Sequence, residues 1–177
     1  WDNSNKKYID FSYMGVGTNI LGYSHKKINE YVKKIIDQGS ISTLNSNLDN
    51  KLSKELIKAH SWAGMTTFCR TGAEANTLAI RISRVFTKKD QIAICGYHGW
   101  HDWYLSANLE NKNNLDSIHL KGLSTIGVPD NLRGTIHPFK YNDIKSFKNL
   151  INRDPNIGTV FMEVQRNEKP KRDFLKI

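Results

Sequence analysis

The sequence predicts an α/β fold with a mostly parallel sheet and helices on both faces. Two observations carry this. From residue 66 onward, short apolar runs at 66–70, 91–96, 135–139 and 158–163 alternate with amphipathic stretches at 72–87 and 142–152. That is the pattern of strand–helix units whose strands run in one direction. In addition, the first apolar run (Thr66-Thr67-Phe68-Cys69) meets the first amphipathic stretch at Arg70-Thr71-Gly72-Ala73-Glu74-Ala75-Asn76, which reads as strand, sharp turn, helix.

The elements follow in order. Asp2-Asn3-Ser4-Asn5 supplies turn residues ahead of the alternating Tyr8-Ile9-Asp10-Phe11, so residues 1–11 predict a short hairpin. Residues 12–24, punctuated by Gly15, Gly17 and Gly22, predict irregular structure. A helix follows at 25–38, with Ile28, Tyr31, Val32, Ile35 and Ile36 on one face and Gly39 in the stop position. A second helix at 47–60 turns Leu48, Leu52, Leu56 and Ile57 inward. Strands are predicted at 66–70, 91–96, 135–139 and 158–163, and helices at 72–87 and 142–152, the latter with Ile144, Phe147 and Ile151 inward. The stretch 99–131 has little periodicity and is too long for an ordinary connection, so it is read as functional or partly helical. The last residues, 173–177, look like the start of another helix, and the chain reads as a segment of a larger protein.

Composition narrows the class. The 177 residues, 38% hydrophobic and 24% charged, suffice for a domain with a real core, and no apolar run approaches a membrane span. Cys69 and Cys95 both fall in predicted buried strands, which suggests reduced core thiols and a cytoplasmic setting. The net charge of +9 is compatible with an anionic partner. However, Lys26, Lys27, Lys33, Lys34, Lys51 and Lys54 are scattered over helix faces without interleaved aromatics, so no nucleic-acid partner is expected. Gly15, Gly17 and Gly22 do not have dinucleotide spacing, and no Gly-Lys-Ser/Thr phosphate loop is present.

Three places carry candidate chemistry. The Thr71–Gly72–Ala73 turn opens a helix, whose free N–H groups and dipole suit a phosphate; Thr71-x-x-Glu74 is equally a capping box, and the two roles are compatible. About 25 residues on, Tyr97-His98-Gly99-Trp100-His101-Asp102 leaves the end of the next strand. Loops at the carboxyl ends of neighbouring strands converge on one crevice. Here Tyr97 can face a planar ligand with His98 beside it, or Tyr97, Trp100 and Trp103 can pack as core. His98, His101 and Asp102 also have a metal-like spacing, but no further cluster completes a site, and no metal is expected. Glu163 ends the last strand and either faces the same crevice or begins the polar loop after it.

Taken together, these segments resemble the class III aminotransferases of fold type I, which use pyridoxal 5′-phosphate (PLP), and within them the glutamate-1-semialdehyde aminomutase-like branch. Five segments in order carry the resemblance: Tyr8–Phe11, Gly17–His25, Phe68–Asn76 with Ala79-Ile80-Arg81, Cys95–Asp102, and Met162-Glu163 with Arg166–Pro170. The resemblance implies N-terminal elements at 1–60 and part of a large PLP-binding domain at 61–177, incomplete at its C-terminus. It implies Gly72 and Ala73, with Thr71 nearby, at the PLP phosphate, Tyr97 on the pyridine ring, His98 beside it and Glu163 at the cofactor's edge. Tyr13, Ser42 and Thr43 become candidate substrate contacts. The implied activity transfers an amino group between an amino donor and an oxo acceptor. An intramolecular aminomutase and a non-catalytic binding module are the alternatives, and a homodimer is expected.

Two departures stand out. The chain reads Glu163-Val164-Gln165 where many members read Glu-Pro-Val. The family's Schiff-base lysine, and its aspartate that pairs with the pyridine nitrogen, lie beyond the C-terminus. No catalytic residue is therefore expected within the segment, which is expected to be inactive alone.

Overall fold

The computed structural model describes residues 1–40, 43–118, 120–165 and 167–176. The chain divides into two compact units, Trp1–Thr66 and Thr67–Ile177.

In the first unit the Asp2 side chain accepts from the Ser4 and Lys6 amides, and Asn5 N–H bonds the Asp2 carbonyl, so the predicted turn forms. The hairpin does not: residues 6–11 have no ladder partner among the described residues. Turn chemistry is local, but a strand needs a neighbour to take its backbone bonds. Hydrogen-bonded turns over residues 13–22 lead to α1 (Lys26–Gln38), which ends where Gly39, at φ 98°, turns its N–H onto the Ile36 carbonyl. Helix α2 (Asn47–Ala59) starts at a capping box between Ser46 and Asp49. Both helices match the expected periodicity, but the expected burial of their apolar faces does not follow. Ile28, Tyr31, Val32, Ile36, Leu48 and Leu52 are exposed, and no described residue of this unit is buried. An amphipathic face is buried only by a second apolar surface, which the described residues of this unit do not provide.

The second unit holds the core. The expected strand at 66–70 is absent: the segment is irregular and pairs with no described strand, and Cys69, expected inside, is exposed. Helix α3 (Gly72–Thr87) follows, then β1 (Gln91–Cys95), a short α4 (Asp102–Leu105), β2 (Ile136–Pro138), α5 (Ile144–Arg153) and β3 (Ile157–Met162). The sheet order is β2-β1-β3 and both pairings are parallel, with Ile92 opposite Ile136 and Ile94 opposite Phe161.

The central strand alternates. Ile92 and Ile94 point to a core made with Ile80 of α3, Trp103, Tyr104, Leu115 and Ile136. Ala93 and Cys95 point to the opposite face, against Phe139, Leu150 of α5 and Phe174. Helices thus cover both faces of a parallel sheet, as the alternation predicts. The long connection is partly helical, and the buried Asn108 fastens it. Its side chain donates to the Leu123 carbonyl at 3.0 Å and accepts from the Leu115 amide at 2.9 Å. Residues 174–176 form a 3₁₀ turn in place of the expected helix start.

Candidate active site

Helix α3 begins with Thr71 as a capping residue. Its hydroxyl accepts from Glu74 N–H (3.2 Å), while one Glu74 carboxylate oxygen accepts from Arg70 N–H (2.8 Å) and Thr71 N–H (3.1 Å). The box uses the amides of residues 70, 71 and 74, and Ala75 N–H bonds the Thr71 carbonyl. Gly72 and Ala73 N–H bond none of the described residues. Around Gly72 there is open space: a Cβ there would meet nothing within 4 Å. Its backbone is not left-handed, so the glycine leaves room and relieves no turn strain. Two unbonded N–H groups at the positive end of a 16-residue helix, with room before them, fit an anion such as phosphate.

The segment after β1 docks on the same end of α3. Gly99 adopts φ +116°, and a Cβ there would lie 2.9 Å from the Ala73 Cβ. One turn further along, Asn76 Nδ2 donates to the His98 carbonyl at 2.9 Å. Thr77 Oγ1 donates to the Ala73 carbonyl, accepts from Trp103 Nε1 at 3.0 Å and meets His101 Nδ1 at 2.6 Å. Tyr97 is half-buried, and its ring packs edge-on against Tyr104.

His98 turns inward. It is 6% exposed, its Nε2 lies 3.1 Å from the Cys95 carbonyl, and its ring packs edge-on against Phe161 at 4.7 Å. Burial pushes its pKa below the usual 6.5, against the opposing pull of the Cys95 carbonyl, the Glu163 carboxylate and the Phe161 carbonyl. His98 is therefore a neutral ring that supports the segment from beneath. His98 and His101 bond to different partners, and among the described residues no three His, Cys, Asp or Glu side chains gather as a metal site requires.

Glu163 N–H bonds the Cys95 carbonyl, and its side chain lies over Gly96, where a Cβ would come within 2.6 Å of Oε2. Gly96, at φ +105°, leaves the space that the carboxylate fills. Burial, helped by this carboxylate, pushes the Cys95 thiol up to about 11. Beside them a cleft of about 370 Å³ opens over the carboxyl ends of all three strands, lined by Cys95, Gly96, Phe139, Lys140, Tyr141 and Glu163 among others. Thr71, Gly72, Ala73 and Tyr97 do not line it. The structure therefore brings the 71–73 turn to the 97–99 segment, and Glu163 to the neighbouring cleft that Gly96 also lines.

Tyr13 and Thr43 belong to the first unit and are exposed; Ser42 lies outside the described residues. Sequence reading missed Gly96, Gly99, Asn76 and Thr77 as shaping residues. The available signal was the spacing of Ala73, Asn76 and Thr77, which share a helix face, and of the two glycines that bracket Tyr97-His98. It also missed the turn after β2. Tyr141 hydroxyl donates to the Val164 carbonyl (2.7 Å), and Asn142 bonds the Lys169 carbonyl and the Lys171 amide, holding the segment that follows Glu163.

Residues 1–165 match the family model described as aminotransferase class-III. The 3-aminobutyryl-CoA aminotransferase of Cloacimonas acidaminovorans is 32% identical over 166 residues, covering 92% of this chain and 36% of that protein. The glutamate-1-semialdehyde 2,1-aminomutase of Campylobacter hominis is also 32% identical over 166 residues, with 92% and 35% covered. The chain thus spans little more than a third of the length of these relatives. A solved transaminase with PLP bound superposes with a TM-score of 0.75 over 93% of this chain and 39% of that one, at 18% identity, a likeness of fold.

Proposed function

The chain belongs to the class-III aminotransferases, and from that membership we propose that the whole protein transfers an amino group between an amino donor and an oxo acceptor, using PLP. One observation carries the residue-level reading: the unbonded Gly72 and Ala73 amides sit at the helix end on which Gly99 and His98 dock, two residues or fewer from the Tyr97 ring. Within this reading, Gly72 and Ala73 N–H hold the phosphate, and the α3 dipole adds to the attraction. Thr71 shapes the turn by capping it. Tyr97 offers its face to the pyridine ring. His98, neutral and buried, braces the backbone that carries Tyr97. Glu163 lies at the edge of the site, its carboxylate seated in the space left by Gly96.

When bound, PLP supplies an electron sink that stabilises negative charge at a substrate carbon. The residues assigned here bind and orient; none is assigned to move the proton, and the 177-residue chain alone is proposed to be inactive. Measurable transamination by that chain would overturn this. Tyr13, Ser42 and Thr43 are proposed as substrate contacts. A homodimer in the cytoplasm is proposed for the whole protein, with neither nucleic acid nor membrane as partner. The scattered basic residues speak against a nucleic-acid face; no described helix is long and apolar enough to cross a membrane.

An intramolecular aminomutase is the second reading, favoured by the equal identity to a relative of that name. It predicts conversion of a single amino-oxo substrate without a separate oxo acceptor. The test common to both readings is spectroscopic: the purified whole protein should absorb near the visible edge, and borohydride should abolish the band. A colourless whole protein that takes up no PLP would favour a binding module instead.

A further inference from the structure

Three residues on one face of α3 fasten the segment that carries Tyr97. Ala73 receives the close approach of Gly99, Asn76 donates to the His98 carbonyl, and Thr77 holds Trp103 and His101. Positions 73, 76 and 77 are i, i+3 and i+4, so they form one strip along the helix. The first of them is also one of the two unbonded amide donors. The strip thus joins the phosphate-holding turn to the aromatic segment through a few short contacts.

Asn76 is the joint with the most direct reach. It is half-buried, and its bond to the backbone oxygen of the residue after Tyr97 spans 22 positions of sequence. Directly beneath, the His98 ring is held at the Cys95 carbonyl. The residue that follows Tyr97 is therefore gripped from the helix by its carbonyl and from the sheet by its side chain. Gly99 is what allows the approach: its φ of +116° is a glycine conformation, and any side chain there would strike Ala73.

Resting on the PLP assignment above, we propose that Asn76 is a positioning residue that sets the spacing between the phosphate-holding amides of Gly72 and Ala73 and the ring of Tyr97. A ligand that touches both places depends on this joint. A ligand that touches only the amides does not.

The experiment uses the whole protein stripped of cofactor and compares PLP with inorganic phosphate. Asn76→Ala removes the donor. Asn76→Leu, nearly equal in size and uncharged, also removes the donor and keeps the test open where the alanine variant folds poorly. The expected result is a roughly tenfold loss of PLP affinity, the scale of one lost hydrogen bond, together with a weaker visible circular-dichroism band. The inhibition constant for inorganic phosphate as a competitor should stay unchanged. Wild-type PLP affinity and band shape in both variants would overturn the proposal. Equal loss for PLP and phosphate would also overturn it, by making Asn76 part of the turn itself. A wild-type protein that binds neither probe would instead refute the PLP assignment on which the proposal rests.

Discussion

Nε2 of His98 lies 3.1 Å from the carbonyl oxygen of Cys95 and is buried with it beneath the segment that follows β1. Because desolvation lowers the His98 pKa from 6.5, the folded protein binds fewer protons there than the unfolded chain. The stability contributed by neutral His98 is therefore present above about pH 6.5 and is lost as pH falls below it. His98→Gln, which cannot titrate, should flatten the fall in melting temperature between pH 7.5 and 5.5 relative to wild type. An equally steep or steeper fall in the variant would contradict the buried neutral ring.

Cys95 faces the α5 side of the sheet, and its thiol is pushed up to about 11. The thiolate is the reactive form, so Cys95 should be silent toward an aromatic disulfide reagent at pH 8 in the native protein. Cys95→Ala should leave the native thiol count unchanged and lower the denatured count by one. A drop in the native count would place Cys95 at the surface.

How much of this was legible in the sequence depended on whether the cause was local. Helix α3 and its capping box could be read in full, because Thr71, Glu74 and the apolar period lie within one contiguous stretch. The parallel sheet was legible from its alternation with helices. Pairing was not: residues 66–70 have the apolar run of a strand but no described neighbour, and Asp2–Asn5 forms its turn without a ladder beyond it. Helices α1 and α2 were readable as amphipathic, yet burial of their faces depends on a second surface, which no periodicity encodes. At the candidate site, the free amides of residues 72 and 73 were legible from the helix start that Thr71 caps. The inward turn of His98 was not, because it is set by Phe161, more than sixty residues away.

A side chain at position 96 competes directly with Glu163. Gly96→Ala places a Cβ 2.6 Å from the carboxylate oxygen, in a backbone conformation that disfavours any side chain. The cost should be about 1–3 kcal/mol in denaturant unfolding. Part of it should vanish when Glu163→Ala is combined with it, since removing the carboxylate leaves only the backbone strain. Strict additivity of the two changes would mean that the carboxylate does not occupy that space.

Position 72 separates folding from binding. Its Cβ would enter open space and its φ is ordinary, so Gly72→Val should change unfolding free energy by less than about 1 kcal/mol. A branched side chain before the two amides should nevertheless weaken inorganic phosphate by about tenfold, the scale of one charge-assisted hydrogen bond. Phosphate binding equal to wild type would remove Gly72 from the anion site.

The most direct measurement is a crystal structure of the whole protein with PLP. The phosphate oxygens should lie within hydrogen-bond distance of Gly72 N and Ala73 N, with the Tyr97 ring stacked on the pyridine. A phosphate held by other groups, or a Tyr97 ring that does not touch the coenzyme, would contradict the convergence of these two turns on one molecule.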